Sequence, residues 1–185
     1  MPANNLSIRI LTVDDISLIK ELCEIDKVCF GDIDTKDQGS TDYWNNVNQH
    51  CFTFAIFDLK KVVGYLDFIR ISESSIPDFE SGKIHDGQLE QYVDKSMNKE
   101  INLYEISICL LPEYRNQGLA KALWAYAEKY YKENGYFIKK IYTTIWTKDG
   151  DKFFSNFEYE KMAKDDYDHH IISIKSHNGI LPTYP

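Results

Sequence analysis

The residues whose types and spacing suggest chemistry are Arg115-Asn116-Gln117-Gly118-Leu119-Ala120. They follow an apolar run over 101–111, INLYEISICLL, which Pro112 ends. They lead into a segment over 118–133 whose Leu119, Ala122, Leu123, Tyr126, Ala127 and Tyr130 fall on one helical stripe, closed by Gly135. A strand, a short polar turn and a helix that opens at a glycine suit an anion, because the first amides of a helix lack partners and carry the positive end of its dipole. Arg115 adds a cation, Gly118 lets the backbone approach closely, and Ala120 leaves the next amide accessible. No Gly-Lys-Ser/Thr is present to serve a magnesium nucleotide, and no G-x-G-x-x-G opens a βαβ unit. The anion that fits is a diphosphate held without metal.

The elements that must position this turn are those of an ordinary globular chain. A length of 185 residues fits one domain, 1–185, and 43% hydrophobic with 14% aromatic residues exceeds what a disordered chain carries. A formal net charge of -8 speaks against a nucleic-acid partner and favours a cationic small molecule or a basic peptide. Cys23, Cys29, Cys51 and Cys109 form no C-x-x-C pair and have no histidine at zinc-ligand spacing, so no metal is expected and the thiols read as reduced, in a cytoplasmic protein. The start, MPANNLSIRI, carries no export signal, and no run approaches the ~18 apolar residues of a membrane span.

Residues 7–11 alternate as a strand, and Thr12 caps a helix with Ile16, Ile19, Leu22 and Cys23 on one face. The polar stretch 29–49, with Tyr43 and Trp44, reads as a loop and a short second helix. A hairpin follows, 52–57 and 62–71 about a turn at 58–61. Periodicity is lost over 72–100, where Pro77, Gly82 and Gly87 read as breakers, seven acids face three lysines, and 88–97 reads as a short helix. Beyond the central strand and helix come a strand at 138–146, a helix at 149–157 and a final hairpin of 158–163 with 169–174. The order is β-α-α-β-β-β-α-β-α-β-β, without internal repeats.

Residues 115–120 resemble the R/Q-x-x-G-x-G/A signature of the GNAT superfamily of N-acetyltransferases, and Leu111-Pro112-Glu113-Tyr114 resembles its usual approach. The resemblance implies an α/β fold with a central, mostly antiparallel, twisted sheet of about seven strands flanked by helices and splayed between the fourth and fifth strands. It implies acetyl-coenzyme A as cosubstrate, with Arg115, Asn116, Gln117, Gly118, Leu119, Ala120 and Lys121 on the diphosphate and the backbone of Cys109, Leu110 and Leu111 along the pantetheine arm. An amide freed in the splay would polarise the thioester carbonyl.

Two family positions depart from the pattern. Thr147 stands where an asparagine is common, and Phe154 where a tyrosine often protonates the leaving thiol, so that proton falls to Tyr159, Tyr142 or solvent. Glu105 is the carboxylate available as base, although counting back from Arg115 puts the family's glutamate at Tyr104 or Ile106; Glu105 then faces the other side of the sheet unless a bulge turns it, and a structural ion pair is the alternative. Tyr43, Trp44, Tyr104 and Trp146 are candidates for an acceptor pocket, with core packing as the plainer role, and the acidic 72–100 segment is placed to border it. The expected acceptor is a small cationic amine, an aminosugar, or a lysine or N-terminal amine, acetylated by direct transfer in a ternary complex. The other readings are a non-catalytic acyl-coenzyme A binding module and an acyl carrier or thioesterase-like enzyme using Cys109. Pairing into a homodimer through the last hairpin or an edge strand stays open.

Overall fold

Seven stretches rich in β-branched and aromatic residues pair into one sheet: β1 Leu6–Ile10, β2 Cys51–Asp58, β3 Lys61–Ile71, β4 Glu100–Leu110, β5 Phe137–Ile145, β6 Tyr159–Lys164 and β7 His170–Ile174. The structure is a computed structural model and describes residues 6–31, 47–84 and 86–185; Tyr43 and Trp44 lie outside the described residues. Strand order is β1-β2-β3-β4-β5-β7-β6. All neighbours are antiparallel except β4 and β5, which are parallel. This is the mixed, mostly antiparallel α/β fold anticipated above. The parallel pair requires a crossover, and α3, Leu119–Glu133, supplies it. Among the described residues the other α-helices are α1 Ile19–Phe30, α2 Ile76–Ser81 and α4 Lys148–Phe154.

β2 and β3 are buried almost throughout, which is why they read as apolar runs rather than as clean alternation. On one face Leu123, Trp124, Ala127 and Tyr131 of α3 pack on Phe52, Phe54, Phe68 and Leu103. The Trp124 ring lies 4.7 Å from Phe157 and its Nε1 donates to the Pro182 carbonyl at 2.6 Å, which ties the C-terminal segment across the helix. The opposite face is divided. Ile19, Leu22 and Ile25 of α1 cover Ala55, Phe57, Val62 and Tyr65. Ile76, Phe79, Ile84, Leu89, Tyr92 and Val93 cover Ile69, Ile71, Tyr104 and Tyr142.

That second patch is built by 72–100, and it corrects the reading of this segment as a loop with one short helix at 88–97. Its α-helix is α2, not 88–97, because Pro77 falls in the first turn, where a missing N–H costs nothing; Asp86–Gln91 is a 3-10 helix. Three of its seven acids pair with residues of the sheet. Glu80 accepts from Lys140 at 2.7 Å and from Tyr142 at 2.8 Å, Glu73 from Lys139 at 3.2 Å and Asn102 at 3.1 Å, and Asp94 from Arg70 at 3.1 Å. The segment is a packed cap on the sheet. Near the N-terminus Thr12 and Asp15 form a capping box, but it opens a 3-10 turn, Val13–Leu18, ahead of α1 and leaves Ile16 exposed. Among the described residues no helix is long and apolar enough to cross a membrane, and no group of three or more His, Cys, Asp or Glu is placed to hold a metal.

Candidate active site

The β4–β5 ladder runs from Glu100 opposite Phe137 to Glu105 opposite Thr143 and then stops. β4 continues to Leu110 bonded to β3, and β5 continues to Ile145 bonded to β7. The cause lies on the β3 side, where Phe68 faces Glu105 and Asp67 faces Ser107, so Ile106 is an extra residue. A bulge of this kind bends its strand and increases its twist. The two parallel strands therefore part, and the β5-facing edge of residues 106–110 is left without a strand partner. A cavity of ≈ 620 Å³ occupies the gap.

The N-terminus of α3 stands at one end of that cavity. Asn116 and Gly118 take left-handed φ of 58° and 78°, which turns the chain sharply into the helix. The first helical amide with a partner is that of Ala122, donating to Gly118 at 3.0 Å; among the described residues the amides from Asn116 to Lys121 have no backbone acceptor. Gln117 Nε2 donates to the Glu113 carbonyl at 2.9 Å and secures the turn. Arg115 folds back, Nε donating to the Leu110 carbonyl at 3.0 Å and Nη2 lying 3.5 Å from Cys29 Sγ. Lys121 Nζ reaches the Pro185 carbonyl at 2.6 Å and lies 5.0 Å from the centre of the Tyr184 ring. With Lys152 these give the cavity wall three cations, facing the carboxylates of Glu105 and Asp149. Free amides beside cations are what a diphosphate needs.

Of the residues singled out in the sequence, Glu105, Leu110, Arg115, Asn116, Gly118, Leu119, Ala120, Lys121, Trp146, Thr147 and Phe154 line this cavity. Glu105 is buried at the apex of the splay and accepts from Thr143 Oγ1 at 2.5 Å. Its orientation follows from the Ile106 bulge. Thr147 uses its hydroxyl to cap α4, accepting from Gly150 N at 3.0 Å, and Trp146 is stacked on His169 with ring centroids 4.5 Å apart.

Other candidates do not reach the cavity. Tyr104, one residue from Glu105, points to the opposite face, packs 5.1 Å from Phe79 and donates to Thr144 Oγ1 at 3.0 Å, so it is a core residue there. Tyr159 lies on β6, opposite Ile174, with β7 between it and β5. Tyr142 is buried against α2 and donates to Glu80; burial, reinforced by that carboxylate, raises its pKa and makes it a poor acid. Cys109 turns its thiol toward α1, and Leu111 N is spent on the Val63 carbonyl at 3.0 Å. Gln117 acts on the turn rather than on the cavity.

Cys29 and Phe30, at the end of α1, and Tyr184, near the C-terminus, also form the wall and were not anticipated. No local pattern marks them, since tertiary packing alone brings them there: Tyr184 is held by Phe153, 5.0 Å away, and by Phe157 at 5.3 Å.

A sheet parted between its two parallel strands, with a cradle of free amides at the mouth of the gap, is the frame of a coenzyme-dependent acyltransferase. The chain belongs to the acetyltransferase (GNAT) family, whose family model matches residues 19–159. Solved structures of similar fold include the PaiA N-acetyltransferase from Thermoplasma acidophilum in complex with coenzyme A, at 16% identity and a TM-score of 0.57, covering 93% of this chain and 99% of that one. The loading GNATL domain of CurA from Lyngbya majuscula superposes with a TM-score of 0.63 at 15% identity, over 93% of this chain and 98% of that domain. An aminoglycoside 6'-acetyltransferase of type Ii gives 0.58 at 12% identity, over 90% and 95%. At such identities the likeness shows the fold. No curated protein matches the sequence.

Proposed function

We propose that the chain transfers an acetyl group from acetyl-coenzyme A directly to a primary amine in a ternary complex. The observation that carries this reading is the open β4 edge over 106–110 leading to the unpartnered amides of 116–121. The amides and Arg115 hold the diphosphate, and the β4 edge bonds the pantetheine arm as a further strand would. A free amide of that edge then donates to the thioester oxygen as the amine adds to the carbonyl carbon and the carbon–sulfur bond breaks. Glu105, at the apex, takes the proton the amine must lose. Tyr184, the one tyrosine among the described residues lining the cavity, returns a proton to the departing thiolate in place of the hydroxyl that Phe154 lacks. Similarity to a coenzyme A complex and to an aminoglycoside acetyltransferase supports this donor and an amine acceptor.

The missing hydroxyl at Phe154 also favours a second reading, an acyl-coenzyme A binding module without turnover. Incubation with acetyl-coenzyme A and a panel of polyamines, aminoglycosides and lysine peptides, read by product mass, separates the two when run beside a thermal melt with the coenzyme. A higher melting temperature with acetylated product supports transfer. A higher melting temperature with no product from any amine supports the binding module. No thermal shift ends both.

A further inference from the structure

Two thiols beside the diphosphate cradle are given no part in the proposed acetyl transfer. Cys29, in the last turn of α1, and Cys109, on β4, belong to the same packed group of residues: the Cys109 thiol donates to Asp26, one turn before Cys29 on α1, and the Cys29 thiol donates to the carbonyl of Leu110, the residue after Cys109. Cys29 Sγ lies 3.5 Å from Arg115 Nη2 and 3.4 Å from the Leu110 carbonyl, and it lines the cavity. Cys109 Sγ is buried, 3.5 Å from Asp26 Oδ1, a carboxylate that also accepts from Tyr65. The four groups form a file, Arg115, Cys29, Cys109, Asp26, from the cavity inward.

We propose that Cys29 and Cys109 are a peroxide-reactive thiol pair that closes into a disulfide on the cavity wall. Cys29 is the outer, attacking sulfur, because a small oxidant reaches it through the cavity and Arg115 stabilises its thiolate. Cys109 is the inner, resolving sulfur. In the first step the Cys29 thiolate attacks hydrogen peroxide, the O–O bond breaks, a sulfur–oxygen bond forms, and the departing hydroxide takes up a proton to leave as water; sulfur is oxidised by two electrons and peroxide reduced. In the second, Cys109 gives its proton to Asp26 and attacks the Cys29 sulfenic acid; the S–S bond forms, the S–O bond breaks, and the hydroxide released takes a proton and leaves as water.

The thiols differ in the way this order needs. The hydrogen bond from Cys109, then Arg115, lower the Cys29 pKa to about 7 against its burial, whereas burial pushes Cys109 well up. Burial likewise raises Asp26 to about 6, which leaves it ionised at neutral pH and basic enough to receive the Cys109 proton. Cys23 and Cys51 have no such arrangement, and burial raises both. The disulfide would tie the end of α1 to β4 and change the sulfur that Arg115 contacts, so oxidation would alter the mouth of the cavity. None of this requires acetyl transfer.

The test is to treat the reduced protein with hydrogen peroxide, digest it without reductant, and read the thiols by mass. The expected product is a cross-linked pair of peptides carrying Cys29 and Cys109, lighter by two hydrogens, with Cys23 and Cys51 still free. In Cys109→Ser, and in Cys109→Ala as a second variant should serine disturb the core, Cys29 should stop at a sulfenic acid trapped by dimedone. In Cys29→Ser, Cys109 should stay reduced. Oxidation of Cys23 or Cys51 ahead of Cys29 would overturn the proposal, as would a Cys29 sulfenic acid that accumulates in the native chain while Cys109 remains a free thiol.

Discussion

Gly118→Ala separates the stability of the α3 turn from its grip on a diphosphate. Gly118 has φ 78°, and a Cβ built on it meets nothing within 4 Å, so the methyl group clashes with no protein atom and costs only the left-handed strain. That strain is about 1–2 kcal/mol for an L-residue. Alanine also has fewer unfolded conformations to lose, which offsets about 0.4–1 kcal/mol. The net loss of roughly 1 kcal/mol lowers the melting temperature of a chain this size by about 2–4 °C. Binding should suffer more. The open space is the cavity itself, so the methyl stands where the diphosphate must approach, and losing one charge-assisted hydrogen bond is worth about 1.5–3 kcal/mol. At 1.4 kcal/mol per decade that is about 10- to 100-fold in Kd for coenzyme A. Melting curves without ligand and calorimetric titration with coenzyme A, both on the purified variant, read the two effects. Asn116→Gly is the control, since its φ of 58° is one that glycine adopts freely, and it should leave affinity within about twofold. A Gly118→Ala protein with the small thermal loss and an unchanged Kd would refute the diphosphate cradle.

Glu105→Gln should lower kcat by about 10²- to 10⁴-fold with coenzyme A affinity intact, because the amide still accepts from Thr143 but takes no proton; steady-state rates with an accepted amine check this, and a loss below about tenfold would remove Glu105 as base. Tyr184→Phe keeps its ring contacts with Phe153 and Phe157, so the melting temperature should hold while kcat falls; an unchanged kcat would hand the thiolate proton to solvent. Burial raises the Asp67 carboxyl from 3.8 to about 7, opposed by the hydrogen bond from Thr53. The folded chain thus holds this proton more tightly than the unfolded chain does, and the stability it contributes is full below about pH 4 and lost as pH rises through 7. Asp67→Asn, neutral throughout and still able to accept from Thr53 Oγ1, should gain on the native protein between pH 5 and 8 in urea midpoints; parallel pH profiles would contradict the shift.

The sheet was legible because its strands are apolar runs bounded by Pro112, Gly135 and the turn at 58–61, and because one short signature placed a helix N-terminus after β4. The segment 72–100 was misread for a definite reason. Its hydrophobic residues, Ile76, Phe79, Ile84, Leu89, Tyr92 and Val93, follow neither a helical nor a strand period, since they come from two short helical pieces and the chain between and beyond them. Proline inside such a stretch looks like a breaker until it is known to stand in a first turn. The pairing of Glu73 and Glu80 was hidden because their partners, Lys139 and Lys140, lie on a strand more than fifty residues further along the sequence.

The Glu105 problem shows where one-dimensional reasoning stops. Strand parity is a strict alternation only in a regular strand, and one extra residue inverts every assignment beyond it. Leu103 and Glu105 face α3 or the cavity, Tyr104 faces the opposite core, and after Ile106 the parity changes, so Ile108 rejoins the α3 face while Cys109 turns to α1. Ile106 and Ser107 lie in the wall between the cavity of the splay and a small pocket lined by Asp26 and Asp67. Were β4 to keep every residue and pair with β3 in unbroken register from Glu105, Ile106 would stand opposite Asp67 and Cys109 opposite Gly64, and Cys109 would turn to the other face, away from Asp26. A count back from Arg115 therefore places the carboxylate and Cys109 on their faces only when it allows for Ile106.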